Sequence, residues 1–358
     1  MSVSQDNQSF ISHFSDLTLA DRLTVGGKGA SLGELTRAGV DVPPGFVVTT
    51  DAFEVFLGAS DPDGEVRRDV AALHGGDTNQ LAKASERIRQ RVCDMPIPEN
   101  IAEEIRGSYR SMAQNGSGTA VAVRSSATCE DSETASFAGL QDTYLWVRGE
   151  EQLLDQVRAC WASLYNSESI SYRQRLDLPE NQISMAVVVQ QMVDAACAGV
   201  MFTRSPTTGD KSVIVIEGSW GLGSSLVSGE VTPDRFVVNK VTGEITTRDV
   251  SAKELEHVPD PSGSGVLERL VEEERRSVPC LSDAVLGELW KIARNVEGHY
   301  GSPQDIEWAL PRGETEEIVY LLQSRPETVW AGRQKEPAAK PTDKAFEHVL
   351  NLMSNRKD

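Results

Sequence analysis

The sequence predicts an α+β fold in two units, on three observations. Strand-like stretches recur at 119–125, 141–147, 185–193, 198–203 and 213–217, several of them bounded by turn-forming residues. Helical patterns alternate with them, at 51–58, 79–93 and 151–172. At 358 residues the chain is long enough for two cores. The expected units are an N-terminal lobe over 1–185 and a C-terminal lobe over 186–330. Residues 331–358 read as a linker and a short amphipathic helix with Phe346, Val349, Leu350 and Met353 on one stripe.

Apolar content of 39% and charged content of 25% are ordinary for a soluble globular protein. The net charge of −19 argues against nucleic acid or an anionic membrane surface as the main partner. An anionic ligand must therefore be met by individual Arg and Lys side chains. The five cysteines are scattered, with no Cys-x-x-Cys pair. This pattern fits reduced thiols in the cytoplasm, without a disulfide frame or zinc site. The N-terminus has neither the basic nor the apolar region of a signal peptide. No apolar run approaches the roughly 20 residues of a membrane helix.

In chain order, Gly26, Gly27 and Gly29 crowd Lys28 ahead of a helical pattern that runs to about Ala38. Such a turn can offer backbone N–H groups to an anion. It is not a Walker loop, and a tight turn with a surface lysine is the plainer reading. Residues 42–50, opening Val-Pro-Pro-Gly-Phe, form a stiff turn into a short strand. The stretch 61–77 reads as a looser connection. Arg124 stands at the end of the 119–125 strand. It is followed by a long polar loop over 125–139, of the kind that folds over phosphates as a lid. Glu130, Asp131 and Glu133 of that loop are expected to face solvent. The helix over 151–172 should bury Val157, Trp161, Leu164 and Tyr165. The buried strand 185–193 turns at Asp194 and returns over 198–203. Its end, Gln190, Gln191, Met192 and Val193, can frame an adenine ring or can simply be core. Residues 251–300 are charged and read as mostly helical around a break at 259–265.

The chemistry concentrates over 305–325. Residues 305–310 and 318–325 each alternate like strands, and 311–317 reads as the loop of a hairpin. Asp305 and Glu307 share one face, Ile306 and Trp308 the other, and Gln323 and Arg325 share a face. A hairpin centred near Glu314 sets Asp305 opposite Gln323 and brings all four polar groups to one side. Two carboxylates, a carboxamide and a guanidinium suit a Mg²⁺–polyphosphate site. A solvated face of an edge hairpin is the alternative.

Seven motifs occur in order: Gly26-Gly-Lys-Gly-Ala-Ser-Leu, Pro43-Pro-Gly-Phe, Val123-Arg-Ser-Ser-Ala-Thr, Ser136-Phe-Ala-Gly, Trp220-Gly-Leu-Gly, Gln304-Asp-Ile-Glu-Trp and Leu322-Gln-Ser-Arg-Pro. Together they resemble the N-terminal nucleotide-binding domain of the phosphoenolpyruvate synthase and pyruvate phosphate dikinase family, which also opens rifampin phosphotransferase. The resemblance covers roughly 11–330. It implies an ATP-grasp-type fold with ATP in the cleft between two α+β lobes. It also implies that Lys28 and Arg124 hold phosphates, with Thr128 in the same motif. Glu307 would bind Mg²⁺ with Gln323 beside it and Asp305 in the cluster. Arg325 would stabilise the transferring phosphoryl group, and Gln190 to Val193 would frame adenine.

Family enzymes continue into a swivelling domain with a nucleophilic histidine and then an acceptor domain. None of the five histidines here sits in such a context. The resemblance therefore implies an ATP-dependent phosphotransferase subunit that acts on a histidine of a separate subunit, releasing AMP and phosphate, as in phenylphosphate synthase. A self-contained small-molecule kinase and a nucleotide-sensing module without turnover are the alternatives.

Overall fold

The computed structural model of the chain describes residues 9–73, 78–112, 119–128, 142–313 and 318–330. The first half builds a sheet covered by helices. Its elements run β1 (Ile11–His13), α1 (Arg22–Arg37), β2 (Gly45–Val48), α2 (Thr50–Ser60), α3 (Glu65–Ala71), α4 (Thr78–Asp94), α5 (Glu99–Met112), β3 (Val121–Ala127), β4 (Thr143–Val147), α6 (Glu150–Ser163), α7 (Ser167–Arg175) and β5 (Met185–Gln191). The strand order is β1-β2-β5-β3-β4, and every pair is antiparallel.

Alternation along these strands separates two apolar layers. Phe46, Val48, Val121, Val123, Val187 and Val189 pack with Phe53, Phe56, Ile105 and Trp161 of the helices. Val47, Ala186 and Val188 face the other way, onto Val25, Ala30 and Leu32 of α1. Each fully buried Val, Leu or Phe contributes about 1.5–3 kcal/mol to holding these layers together.

The second half continues β6 (Ala195–Phe202), β7 (Val213–Trp220), α8 (Ser224–Val227), β8 (Asp234–Asn239), β9 (Ile245–Asp249), β10 (Leu255–Pro259), β11 (Val266–Leu270), α9 (Glu273–Arg276), α10 (Asp283–Tyr300), β12 (Gln304–Pro311) and β13 (Tyr320–Pro326). Six strands form a second sheet in the order β13-β12-β6-β7-β8-β9, and β10 and β11 pair as a separate hairpin. One face of the six-stranded sheet packs on α10: Met201, Ile214, Ile216, Phe236, Ile306, Trp308 and Leu321 meet Leu286, Leu289, Ala293 and Val296. Among the described residues no helix is long and apolar enough to cross a membrane.

The α+β expectation holds, and five local expectations are corrected. First, β5 and β6 do not pair; the chain crosses from one sheet to the other at 192–194. The first sheet thus extends to Gln191, past the expected boundary at 185/186. Second, the 151–172 helix is two helices. Asn166 caps the second one, its Oδ1 accepting the Ser169 N–H at 2.7 Å. Third, 61–77 contains α3, because the Asp61 carboxylate accepts the N–H groups of Glu65 and Val66. Fourth, the first part of 251–300 is the β10–β11 hairpin, seated on a fully buried Lys253–Asp234 pair at 2.6 Å. Fifth, the 305–325 hairpin pairs Asp305 with Arg325 and Glu307 with Gln323, not Asp305 with Gln323. A bulge between Glu307 and Trp308 admits one extra residue, Leu322, and shifts the register. Beyond Thr128 the expected lid over 125–139 lies outside the described residues, as does the stripe at Phe346 to Met353.

Candidate functional site

The site lies where the β12–β13 hairpin meets β3 and the start of α1. Helix α1 is interrupted at Gly26, whose φ of 71° and ψ of 178° belong to a region open essentially to glycine alone. A Cβ at Gly26 would stand 2.2 Å from the Ser126 carbonyl oxygen. This close approach seats the turn on β3. Ser126 Oγ donates to the Val25 carbonyl at 2.9 Å and accepts the Gly29 N–H at 3.2 Å. Lys28 Nζ then reaches the Ser125 carbonyl at 2.9 Å, beside Arg124. At the helix's next turn Ser31 Oγ donates to the Ser324 carbonyl at 2.5 Å, which fastens α1 to β13. Ser126 is a positioning residue that the sequence reading did not single out, although it stands inside the quoted Arg-Ser-Ser motif. Gly26→Ala should lower stability by about 2–3 kcal/mol through a forbidden backbone angle and a clash with β3. Thermal melting checks this; an unchanged midpoint would contradict the account.

Arg124 bridges the two sheets. It donates from Nη1 to the Leu322 carbonyl at 3.0 Å, and from Nη2 to Gln323 Oε1 at 2.6 Å and to Glu307 Oε2 at 3.1 Å. Its side chain is 11% exposed and that of Glu307 38%. One row along the hairpin, Arg325 Nε lies 3.5 Å from Asp305 Oδ2. Asp305 Oδ1 is buried with no partner. Burial pushes the Asp305 carboxyl up to about 6; Arg325 opposes the shift and the nearby Glu327 adds to it. The same face continues across the sheet from Glu307 through Val200 to Glu217, which pairs with Arg235 at 3.5 Å.

The structure thus joins Arg124, Glu307 and Gln323, sets Asp305 and Arg325 one row along the hairpin, and holds Lys28 on the carbonyl of the residue after Arg124. Thr128 stands at the far end of β3, where its N–H donates to the Ser184 carbonyl at 3.2 Å. Of the expected adenine frame, Gln190 is buried with Nε2 unpartnered. Met192 and Val193 pack against a cluster of Trp146, Ala198, Leu222 and Ala309 between the sheets. The backbone N–H groups of Gln191 and Met192 are already engaged, by the Pro44 and Ala120 carbonyls. Base recognition here would fall to carbonyls and side chains.

Among the described residues no three His, Cys, Asp or Glu side chains converge as a metal cage. Two carboxylates and a carboxamide make a partial oxygen shell. That shell suits Mg²⁺, which keeps waters and takes other ligands from a substrate's phosphates. The orphaned Asp305 oxygen and the half-exposed Glu307 carboxylate fit such an ion; neither calls for a softer metal.

Comparison with known proteins follows the same lines. Residues 22–346 match the family described as pyruvate phosphate dikinase, AMP/ATP-binding domain. A probable phosphoenolpyruvate synthase of Methanothermobacter thermautotrophicus is 42% identical over 333 residues, covering 92% of this chain and 48% of that protein. The phosphoenolpyruvate synthase of Aeropyrum pernix is 41% identical over 346 residues, covering 89% of this chain and 42% of that one. A rifampicin phosphotransferase of Streptomyces is 41% identical over 314 residues, covering 87% and 35%. The chain spans about half the length, or less, of these curated relatives.

Proposed function

The chain belongs to the pyruvate phosphate dikinase AMP/ATP-binding-domain family, and from that premise we propose that it binds Mg-ATP between its two sheets and transfers a phosphoryl or pyrophosphoryl group to a histidine on a partner subunit. The observation that carries the reading is the position of Arg124. It joins β3 to the Glu307–Gln323 pair across the seam between the sheets. A guanidinium that neutralises a carboxylate in this way is poised to exchange it for phosphate oxygens while the carboxylate turns to a metal.

In this reading Glu307 and Gln323 hold Mg²⁺, with Asp305 beside them. Bound Mg²⁺ would neutralise charge on the phosphates during transfer. Lys28 and Arg124 orient the phosphates. Arg325 presents its fork to the group in transfer, where a preorganised charge matters most. Met192 and Val193 pack on the base. Relatives named phosphoenolpyruvate synthase and rifampicin phosphotransferase support a small molecule as the final acceptor. Four free cysteines among the described residues fit a reducing, cytoplasmic setting.

The partner enters because transfer needs a nucleophile held in line with the phosphate. The described histidines are occupied elsewhere. His13 lies edge-on to Phe46, His299 pairs with Glu34, and His257 is held by Ser224 and Glu230. Incubated alone with Mg-ATP, the chain should bind nucleotide and release little AMP. A partner carrying the family's histidine domain should start AMP release and acquire label from the β-phosphate after phosphate departs. Product analysis with β- and γ-labelled ATP decides. Sustained AMP release by this chain alone would sink the split-enzyme reading, and catalytic ADP formation would favour a self-contained kinase.

A further inference from the structure

The turn Trp220-Gly-Leu-Gly builds a second constellation. Gly221 has φ 73°, and a Cβ there would lie 2.4 Å from the His257 carbonyl oxygen. Because nothing fills that space, the Leu222 N–H donates to the same carbonyl at 2.9 Å and the turn sits flat on β10. Two residues on, Ser224 Oγ lies 2.7 Å from His257 Nδ1. On the other side of the ring, Nε2 lies 3.0 Å from Glu230 Oε2. An ionised carboxylate only accepts hydrogen bonds, so in the neutral ring Nε2 carries the proton and donates to Glu230. Nδ1 is then the acceptor, and the Ser224 hydroxyl donates to it. A hydroxyl, a base that can take its proton and a carboxylate that orients the base make up an activated nucleophile.

The constellation opens on a cleft. Ser224 and His257 line a cavity of about 440 Å³ together with Thr143, Leu145 and Gln152. Thr143 is paired with Arg124 across the β3–β4 ladder. One residue of the cleft's lining is therefore the strand neighbour of the arginine that faces Glu307 and Gln323.

We propose that Ser224 is an activated nucleophile that accepts the γ-phosphoryl group of ATP bound in the neighbouring site, a step that rests on the nucleotide reading above. Ser224 Oγ attacks the γ-phosphorus as its proton passes to His257 Nδ1. The Oγ–P bond forms, the bond from that phosphorus to the β,γ-bridging oxygen breaks, and ADP departs with the electron pair. Glu230 holds the resulting imidazolium. The product is one phosphoserine and one ADP per chain, a stoichiometric self-modification distinct from turnover on a partner.

Two reagents test it on the full chain. A fluorophosphonate, which needs no nucleotide site, should label Ser224, and His257→Gln should slow labelling by about 10²-fold. A serine in a merely structural hydrogen bond would not react, and an unlabelled Ser224 overturns the proposal whatever ATP does. With Mg-ATP, peptide mapping should find one phosphate, on Ser224, absent from Ser224→Ala. Calorimetry run alongside separates the two readings. ATP bound with Ser224 unmodified overturns the acceptor assignment and leaves the nucleotide site standing; no bound ATP overturns both.

Discussion

Glu307→Ala should reduce partner-dependent AMP formation by about 10³-fold while the protein melts almost where the wild type does. The rate loss follows from removing one of the few oxygen ligands offered to a metal at the phosphates, worth several kcal/mol in the transition state. The stability forecast follows from exposure and from what Arg124 keeps. Glu307 is 38% exposed, so its 3.1 Å pair with Arg124 is screened and contributes at most about 1 kcal/mol. Without it Arg124 loses its counter-charge but still donates to Gln323 Oε1 and to the Leu322 carbonyl, so its guanidinium stays hydrogen-bonded. Melting and Mg-ATP calorimetry on the same sample check the two halves. Normal turnover in a folded Glu307→Ala protein would remove this residue from the site.

The hairpin that carries Glu307 was the most legible part of the chain. Period-two alternation from Asp305 onward sets four polar side chains on one face and Ile306 and Trp308 on the other, and the burial pattern follows it. Its register was less legible. Bulges leave little trace in the alternation of hydrophobicity: the Trp308–Leu321 register alone would set Ser324 opposite Asp305, and the extra residue at Leu322 makes that partner Arg325. Charge hides the strands of 251–270. Glu254, Glu256, Glu268 and Arg269 are helix-compatible residues, yet Glu256 is buried in a strand because Arg269 and Arg275 flank it. The passage from β5 to β6 carries the signal of a hairpin, because Asp194 gives the same local turn signal whether a chain folds back or crosses between sheets.

Contacts distant in sequence stayed hidden for a different reason. Arg124 and Glu307 are 183 positions apart, and Ser224 and His257 are 33 apart. No propensity or periodicity links such pairs. The motif resemblance placed Arg124 and Glu307 in one site only by analogy with a family. It said nothing of Ser224, since the Trp220-Gly-Leu-Gly turn by itself does not indicate what its glycine is packed against. Gly221 becomes interpretable once the His257 carbonyl is found where its Cβ would be.

Asp305→Asn should move stability and function in opposite directions. The carboxyl is pushed up to about 6, first by burial, and its Oδ1 has no partner. A carboxyl whose folded pKa exceeds its unfolded value, about 3.9, favours the folded state most when protonated. That advantage is complete below pH 4 and is lost as pH rises through 6. By pH 7.5 the ionised, half-desolvated carboxylate costs the fold about 3 kcal/mol. Asparagine never ionises, so Asp305→Asn should melt several degrees above the wild type at pH 7.5, less whatever the lost Arg325 pairing takes away, and near it at pH 4. Mg-ATP binding should weaken at least 10-fold, because a carboxamide is a poorer ligand and the site loses a negative charge. In the wild type, Mg-ATP affinity should climb between pH 5 and 7 as Asp305 ionises, and the variant should lose that part of the climb. Melting curves at pH 4 and 7.5, with calorimetry across the range, test both arms. A variant that melts lower at pH 7.5 and binds Mg-ATP normally would show that Asp305 is structural and leave its buried charge unexplained by the site.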